Sequence, residues 1–494
     1  MGFGETEMAT RRSRLSSRLL TVLAVLLLAV SGCASPVRGR VVAPLDDPFG
    51  VAGLPVTNGP SGLRPDAPGP TTQAQGSTGD PVDTLAEQSL DDVQDFWKQH
   101  YLPVFGGTFR PVAGAVSYDA NDPLGPDVCG VNSYDLVNAM YCRPDRIIYW
   151  DRGVFIPTAK RYFGDDGIVG VLAHEYGHAV QGMGSFVTRA APVLVIEQQA
   201  DCLAGVYLRW VAEGNSARFT LSTGDGLNTL LAGVITIRDP ILTKFDDPEE
   251  GHGTALDRVA AFQTGFTSGP RACVAIDMDQ INHRRAGLPI ALQAGSRRDL
   301  RTNHRPVDRD TVTSLIDQLN GFFSPSSRPT VSFDPTACPN AQTTTPVSYC
   351  PQTNTVAVDL PALQRLGAPA DEAHDLKLVQ GPNTAWSVVS SRYVLALQHA
   401  RNLPLDRAIT GLRTACLTGA AQRHMAGPDP SPATADRVTL IAGDIDQAIA
   451  GLLTNGLVAS DVNGATVPAG FTRIAAYRAG LLIDDPDQCY GHFQ

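Results

Sequence analysis

The sequence predicts an α+β fold, helix-rich with a small β-sheet and assembled from two related halves of one 494-residue chain. Three observations carry this. Apolar residues Ile168, Val171, Leu172 and Val180 recur at helical spacing, and a second helix is expected from about residue 192 to 210. Short β-rich runs at 146–150 and 355–358 each follow a cysteine. Finally, five sequence blocks recur in the same order.

Arg110-Pro111 leads into Val116-Ser117-Tyr118-Asp119, as Arg328-Pro329 leads into Val331-Ser332-Phe333-Asp334. Cys129 and Cys142 match Cys338 and Cys350, and the β-rich run follows each pair. Ala200-Asp201-Cys202-Leu203 matches Thr414-Ala415-Cys416-Leu417. Asp257-Arg258-Val259-Ala260-Ala261-Phe262 matches Thr472-Arg473-Ile474-Ala475-Ala476-Tyr477, leading to Cys273 and Cys489. Ordered self-similarity of this kind marks an internal duplication.

The N-terminus stands outside the fold. Arg11, Arg12, Arg14 and Arg18 precede an apolar run from about residue 19 to 30, too short to span a bilayer and fitting a signal-peptide core. The run ends in Val30-Ser31-Gly32-Cys33, which resembles a bacterial lipobox, so residues 1–33 are expected to be a leader with Cys33 lipidated. An exported protein anchored in the cell membrane by acyl chains, facing the extracytoplasmic side, follows. Residues 34–88, rich in Pro, Gly, Ser and Thr, are expected to be a flexible tether, with order beginning near Ser89.

Boundaries of 89–276 for the first half, 277–305 for a surface linker and 306–494 for the second half follow from composition and the repeat. The net charge of −11, with no basic stripe, argues against a nucleic-acid partner.

With Cys33 set aside, eight cysteines remain, an even number that suits disulfides in an oxidising compartment. If the halves fold alike and bridge internally, each has four cysteines and three possible pairings. Cys129–Cys142 and Cys338–Cys350 are close enough in sequence to staple hairpins. That leaves Cys202–Cys273 and Cys416–Cys489.

The chemistry concentrates in His174-Glu175-Tyr176-Gly177-His178. Asp165-Asp166-Gly167 can open the helix, acidic residues being favoured at its N-terminus. Residues four apart project from one face, so both imidazoles can reach one tetrahedral zinc, with Glu175 placed as general base. Glu197 lies on the next predicted helix and can complete a His2Glu set with a fourth position open for water. Asp201, one turn on, can accept a hydrogen bond from a ligand imidazole. Tyr176 and Tyr207 read as packing residues. Gly177 and Gly205 suggest close approach of the two ligand-bearing helices.

HEYGHAVQ followed by EQQADCLAG resembles the bacterial neutral zinc metallopeptidases, a gluzincin-type group, and more widely the thermolysin-like enzymes with HExxH and a downstream ExxxD. A third block, His252-Gly253-Thr254 with Arg258, Phe262, Gly265 and Phe266, extends the likeness over about residues 89–275. The resemblance implies a zincin-like domain. It also implies one Zn2+ per chain held by His174, His178 and Glu197, Glu175 as the base, and peptide or protein substrates at the cell envelope. His252 would be a donor to the transition state.

Aligned on Gln181 and Gln398, HEYGH falls on Ser391-Arg392-Tyr393-Val394-Leu395. Aligned on Cys202 and Cys416, Glu197 falls on Gly411 and Asp201 on Ala415, and His252 corresponds to Val467. The second half is therefore expected to be a degenerate copy without a metal site, free to bind a protein partner, cover the cleft or hold the first half in place. The alternative to a membrane-anchored zinc peptidase is a non-catalytic envelope scaffold with a vestigial or structural zinc. Retention of Glu175 speaks against it, because a structural site needs no base.

Overall fold

The computed structural model describes residues 46–494, apart from 189, 244, 293–304, 339–343, 373, 375–376 and 428–436. The expected leader, Cys33 and residues 34–45 lie outside the described residues. Helix α1 (Pro81–Phe105) starts where the Asp80 carboxylate accepts the backbone N–H groups of Val82 and Asp83, with Pro81 in the first turn. Strands β1 (Gly114–Tyr118), β2 (Ala139–Cys142) and β3 (Ile147–Asp151) follow. They form one sheet in the order β1-β3-β2, with β1 parallel and β2 antiparallel to β3.

Strand β3 feeds directly into α2 (Phe155–Gly184). Asp151 makes the corner, accepting the N–H groups of Gly153, Val154 and Phe155. Helix α2 breaks at Gly164, whose φ of 64° belongs to the left-handed region that glycine tolerates. The segment carrying HEYGH thus begins at Asp165 and Asp166. Its apolar face, with Ile168, Val169, Leu172 and Val180, is fully buried. Helices α3 (Val193–Ala212), α4 (Asp225–Thr236) and α5 (Ala255–Ser268) pack around it.

The second half runs α7 (Arg309–Phe323), β4 (Thr330–Ser332), β5 (Val347–Cys350), β6 (Thr355–Val358), α8 (Pro382–Ala400), α9 (Ala408–Met425), α10 (Asp444–Thr454) and α11 (Gly470–Leu482), α6 being a short helix between the halves (Met278–Arg285). Its sheet has the order β4-β6-β5, again with the first strand parallel and the hairpin partner antiparallel to the central one. The described disulfides are Cys129–Cys142, Cys202–Cys273, Cys338–Cys350 and Cys416–Cys489.

Two helix pairs meet backbone to backbone. A Cβ placed on Gly265 of α5 would lie 1.8 Å from the Cys202 carbonyl oxygen of α3, and one on Gly480 of α11 would lie 1.8 Å from that of Cys416 on α9. Gly177 does face Ala200 across α2 and α3, as expected. Gly205 instead faces the Phe262 carbonyl of α5, so the close approach it permits is to a different helix.

The structure departs from the expected boundaries in three places. Residues 46–88 are packed onto the fold and do not form a free tether: Gly62-Leu63 pairs with Phe219-Thr220, and α1 begins at Pro81, ahead of Ser89. Composition missed this because the segment is held through its backbone. Carboxylates on α1 accept its N–H groups, Asp91 from Thr71 and Thr72, Glu87 from Ala74, Asp83 from Thr78. The expected linker at 277–305 contains α6, fixed by a buried Arg285–Asp257 ion pair at 2.9 Å. Nor do the halves separate, because the described residues from 46 onward belong to one compact unit with a continuous apolar core. Asn228 accepts the Gly470 N–H, Gln263 donates to the Phe471 carbonyl, and Arg238 pairs with Glu372. Among the described residues no helix is long and apolar enough to cross a membrane.

The glycine contacts give a paired test. Gly265→Ala drives a methyl into a backbone carbonyl and is expected to cost about 1–3 kcal/mol. Gly170→Ala meets only the Leu230 side chain at 3.7 Å and gains up to ~1 kcal/mol of helix propensity. Denaturant midpoints should fall for the first and hold or rise for the second.

Candidate metal centre

Helices α2 and α3 bring His174, His178 and Glu197 together, their ligand atoms all within 4.8 Å of one another. Glu197 Oε2 lies 3.1 Å from His174 Nε2 and 3.5 Å from His178 Nε2. Two atoms each ~2.05 Å from one tetrahedral zinc lie roughly 3.3 Å apart, so this spacing suits the ion. The donor set, two imidazoles and a carboxylate, is also one that zinc takes in catalytic sites.

Both ring orientations are set from behind. Asp201 can only accept, so His174 Nδ1–H donates to Asp201 Oδ1 at 2.8 Å and the Nε2 lone pair faces the cluster. Gln181 donates its amide to the Ile196 carbonyl at 2.7 Å, which leaves Oε1 to accept from His178 Nδ1–H at 2.9 Å. Asp201 is itself gripped by Arg258 of α5, Nε to Oδ2 at 2.9 Å and an Nη to Oδ1 at 2.7 Å. A third Arg258 bond, to the Ile237 carbonyl, fixes the start of the loop carrying His252.

The field of the cluster favours positive charge. Burial works against a charged His174, but Asp201 and then Glu197 outweigh it and raise its pKa to about 10. Burial likewise opposes ionisation of Glu197, yet hydrogen bonds from His174 and His178 hold its carboxyl far below the usual range. Burial raises Glu175, with both imidazoles pulling the other way. Glu175 Oε2 accepts the Tyr141 N–H of strand β2 at 2.8 Å.

His252 sits at the rim, its side chain half exposed, with Nε2 3.5 Å from Glu197 Oε2. Asp239 accepts the backbone N–H groups of His252 and Gly253 and so anchors this loop. Tyr176 and Tyr207 are buried and hydrogen-bonded to Gln94 and Asp92, away from the cluster. Sequence reasoning assigned no role to Gln181, Arg258, Asp239 or Tyr141. Gln181 and Arg258 do carry a signal, since both have counterparts in the second half. A larger open groove, about 770 Å³, lies beside Asp310 and His424, and none of the three clustered residues lines it.

A family described as "Putative neutral zinc metallopeptidase" matches residues 28–275. Uncharacterized proteins of Mycobacterium tuberculosis and Mycobacterium bovis are 28% identical over 203 residues, covering 37% of this chain and 66% of theirs, just under two thirds of the relatives' length. No solved structure matches.

The hydrogen bonds behind the imidazoles predict that Asp201→Asn weakens zinc binding by ~10–100-fold, measured by competition with a chelator. Arg258→Leu leaves Asp201 buried without its cation and is expected to cost about 3–5 kcal/mol in denaturant unfolding.

Proposed function

The chain belongs to the neutral zinc metallopeptidase family, and on that premise we propose a zinc-dependent peptidase in which His174, His178 and Glu197 hold one ion and Glu175 is the general base. The observation that carries this reading is the open His2Glu cluster with a buried carboxylate beside it. When bound, zinc supplies an acidified water and polarises the scissile carbonyl.

The chain's own residues supply the rest. With Oε2 held by Tyr141, the Glu175 Oε1 atom is left to take a proton from the attacking water and hand it to the leaving amine. His252, half exposed at the rim with Nε2 3.5 Å from Glu197 Oε2, is placed to donate to the developing oxyanion. The Asp201 and Gln181 acceptors keep both imidazoles in the tautomer that presents Nε2.

The same reading takes the second half as a degenerate duplicate. Supporting it are the repeated sheet order, the matched disulfides and the matched glycine contacts. Arg392, aligned with Glu175, is fully buried and donates to the carbonyls of Val347 and Asp461 and to the Ser460 hydroxyl. A guanidinium there would repel a cation. Export and a lipid anchor at Cys33 belong to the proposal too, supported by the leader sequence, with peptide or protein at the cell envelope as substrate.

Zinc content and turnover test this together. Glu175→Gln should keep one zinc per chain and lose ~10²–10⁴-fold in peptide turnover. Equal, null turnover in wild type and variant with full zinc would favour a scaffold. Two zinc ions per chain would overturn the degenerate second half.

A further inference from the structure

A cavity of about 330 Å³ opens beside the cluster, within the range of small-molecule sites. His174, Glu175 and His252 line one end. Its walls are mostly apolar, with Phe163, Val171, Leu230 and Val234, and Gly170 and Gly233 leave room between them. Asp166 lines it as well, eight residues before His174 on α2, or ~12 Å along the helix axis.

Asp166 is 5% exposed and accepts a hydrogen bond from the Gly62 backbone. Of the two cations one to two turns earlier on the helix, Lys160 pairs with Asp165 at 3.0 Å and the Arg161 guanidinium lies over the Tyr162 ring, 5.7 Å from its centroid. Among the described residues no ion pair is formed by Asp166. Burial and the neighbouring Asp165 charge push its carboxyl up to about 7. Arg258 and Asp201 line the cavity too, but the Arg258 guanidinium is taken up by Asp201 and the Ile237 carbonyl. A buried carboxylate with no cation paired to it is costly, and a ligand cation entering the cavity relieves the cost.

We propose that this cavity is a subsite for a lysine or arginine side chain next to the scissile bond, its apolar walls taking the methylene stem and Asp166 taking the cation. Lysine and arginine are the natural side chains that carry a cation on a long apolar stem. Phenylalanine or leucine would fill the walls but leave Asp166 unpaired. The proposal rests on the peptidase reading above.

The test separates the two. Binding of n-pentylguanidinium and of its neutral isostere n-pentylurea to the zinc-loaded chain is measured by calorimetry, which needs no turnover. The cation is expected to bind about 10-fold tighter or better, and Asp166→Asn should erase that difference. Equal binding in wild type overturns the subsite, even if the variant fails to fold. So does a cation preference that survives in Asp166→Asn. In parallel, kcat/KM is compared for peptides carrying Lys, Arg, norleucine or Leu on either side of the cleaved bond. A preference for Lys or Arg, lost in Asp166→Asn, is expected, and a preference for norleucine or Leu overturns the subsite. Absence of turnover on every peptide counts against the peptidase reading alone, because guanidinium binding is read separately.

Discussion

The Asp201 carboxylate is shared between two groups from different helices, the guanidinium of Arg258 and the imidazole of His174. Burying an unpaired carboxylate there would cost several kcal/mol, and each of the three hydrogen bonds it accepts offsets part of that cost. Because Arg258 also holds the Ile237 carbonyl, the same interaction fixes α2, α3, α5 and the loop leading to His252. The geometry of the cluster is therefore a property of the core. The Gly265 contact presses α3 against α5 as well, and the Cys202–Cys273 bridge ties α3 to the segment that follows α5.

In the proposed reading of the second half as a duplicate, this frame recurs with the carboxylate missing. Arg473 stands where Arg258 does, but Ala415 stands where Asp201 does. The Arg473 guanidinium turns to backbone carbonyls of Leu452 and Pro468. On that reading the arginine serves helix packing in the second half without the acidic partner that Arg258 has in the first.

The pairs His174 with His178 and Glu197 with Asp201 were legible because helical geometry fixes which residues of one helix share a face, and their meeting followed from the need for a third ligand and from the resemblance. The cysteine pairs were legible because the repeat restricted them. The nearness of His252 came only through resemblance, since a loop's path is not written in any periodicity. Arg258 and Tyr141 were not legible in their roles, because each acts through a contact between elements far apart in sequence, Tyr141 through a backbone N–H that has no sequence signature. Gln181 stands three residues after His178 on the same helix, a spacing at which its role could have been read. Residues 46–88 were misread for a related reason. Counting apolar side chains ignores a segment held by carboxylates that accept its backbone. The 277–305 stretch looked polar because its buried Arg285 is neutralised by an aspartate in α5.

The continuous core carries an evolutionary corollary. Phe266 of α5 packs against Phe471 of α11 with ring centroids 5.2 Å apart, and both are buried. Each half has thus become part of the other's interior. Deleting the second half would expose Phe266 and its apolar surroundings to water, so folding of the first half constrains the residues of the second that face it, whatever else that half does.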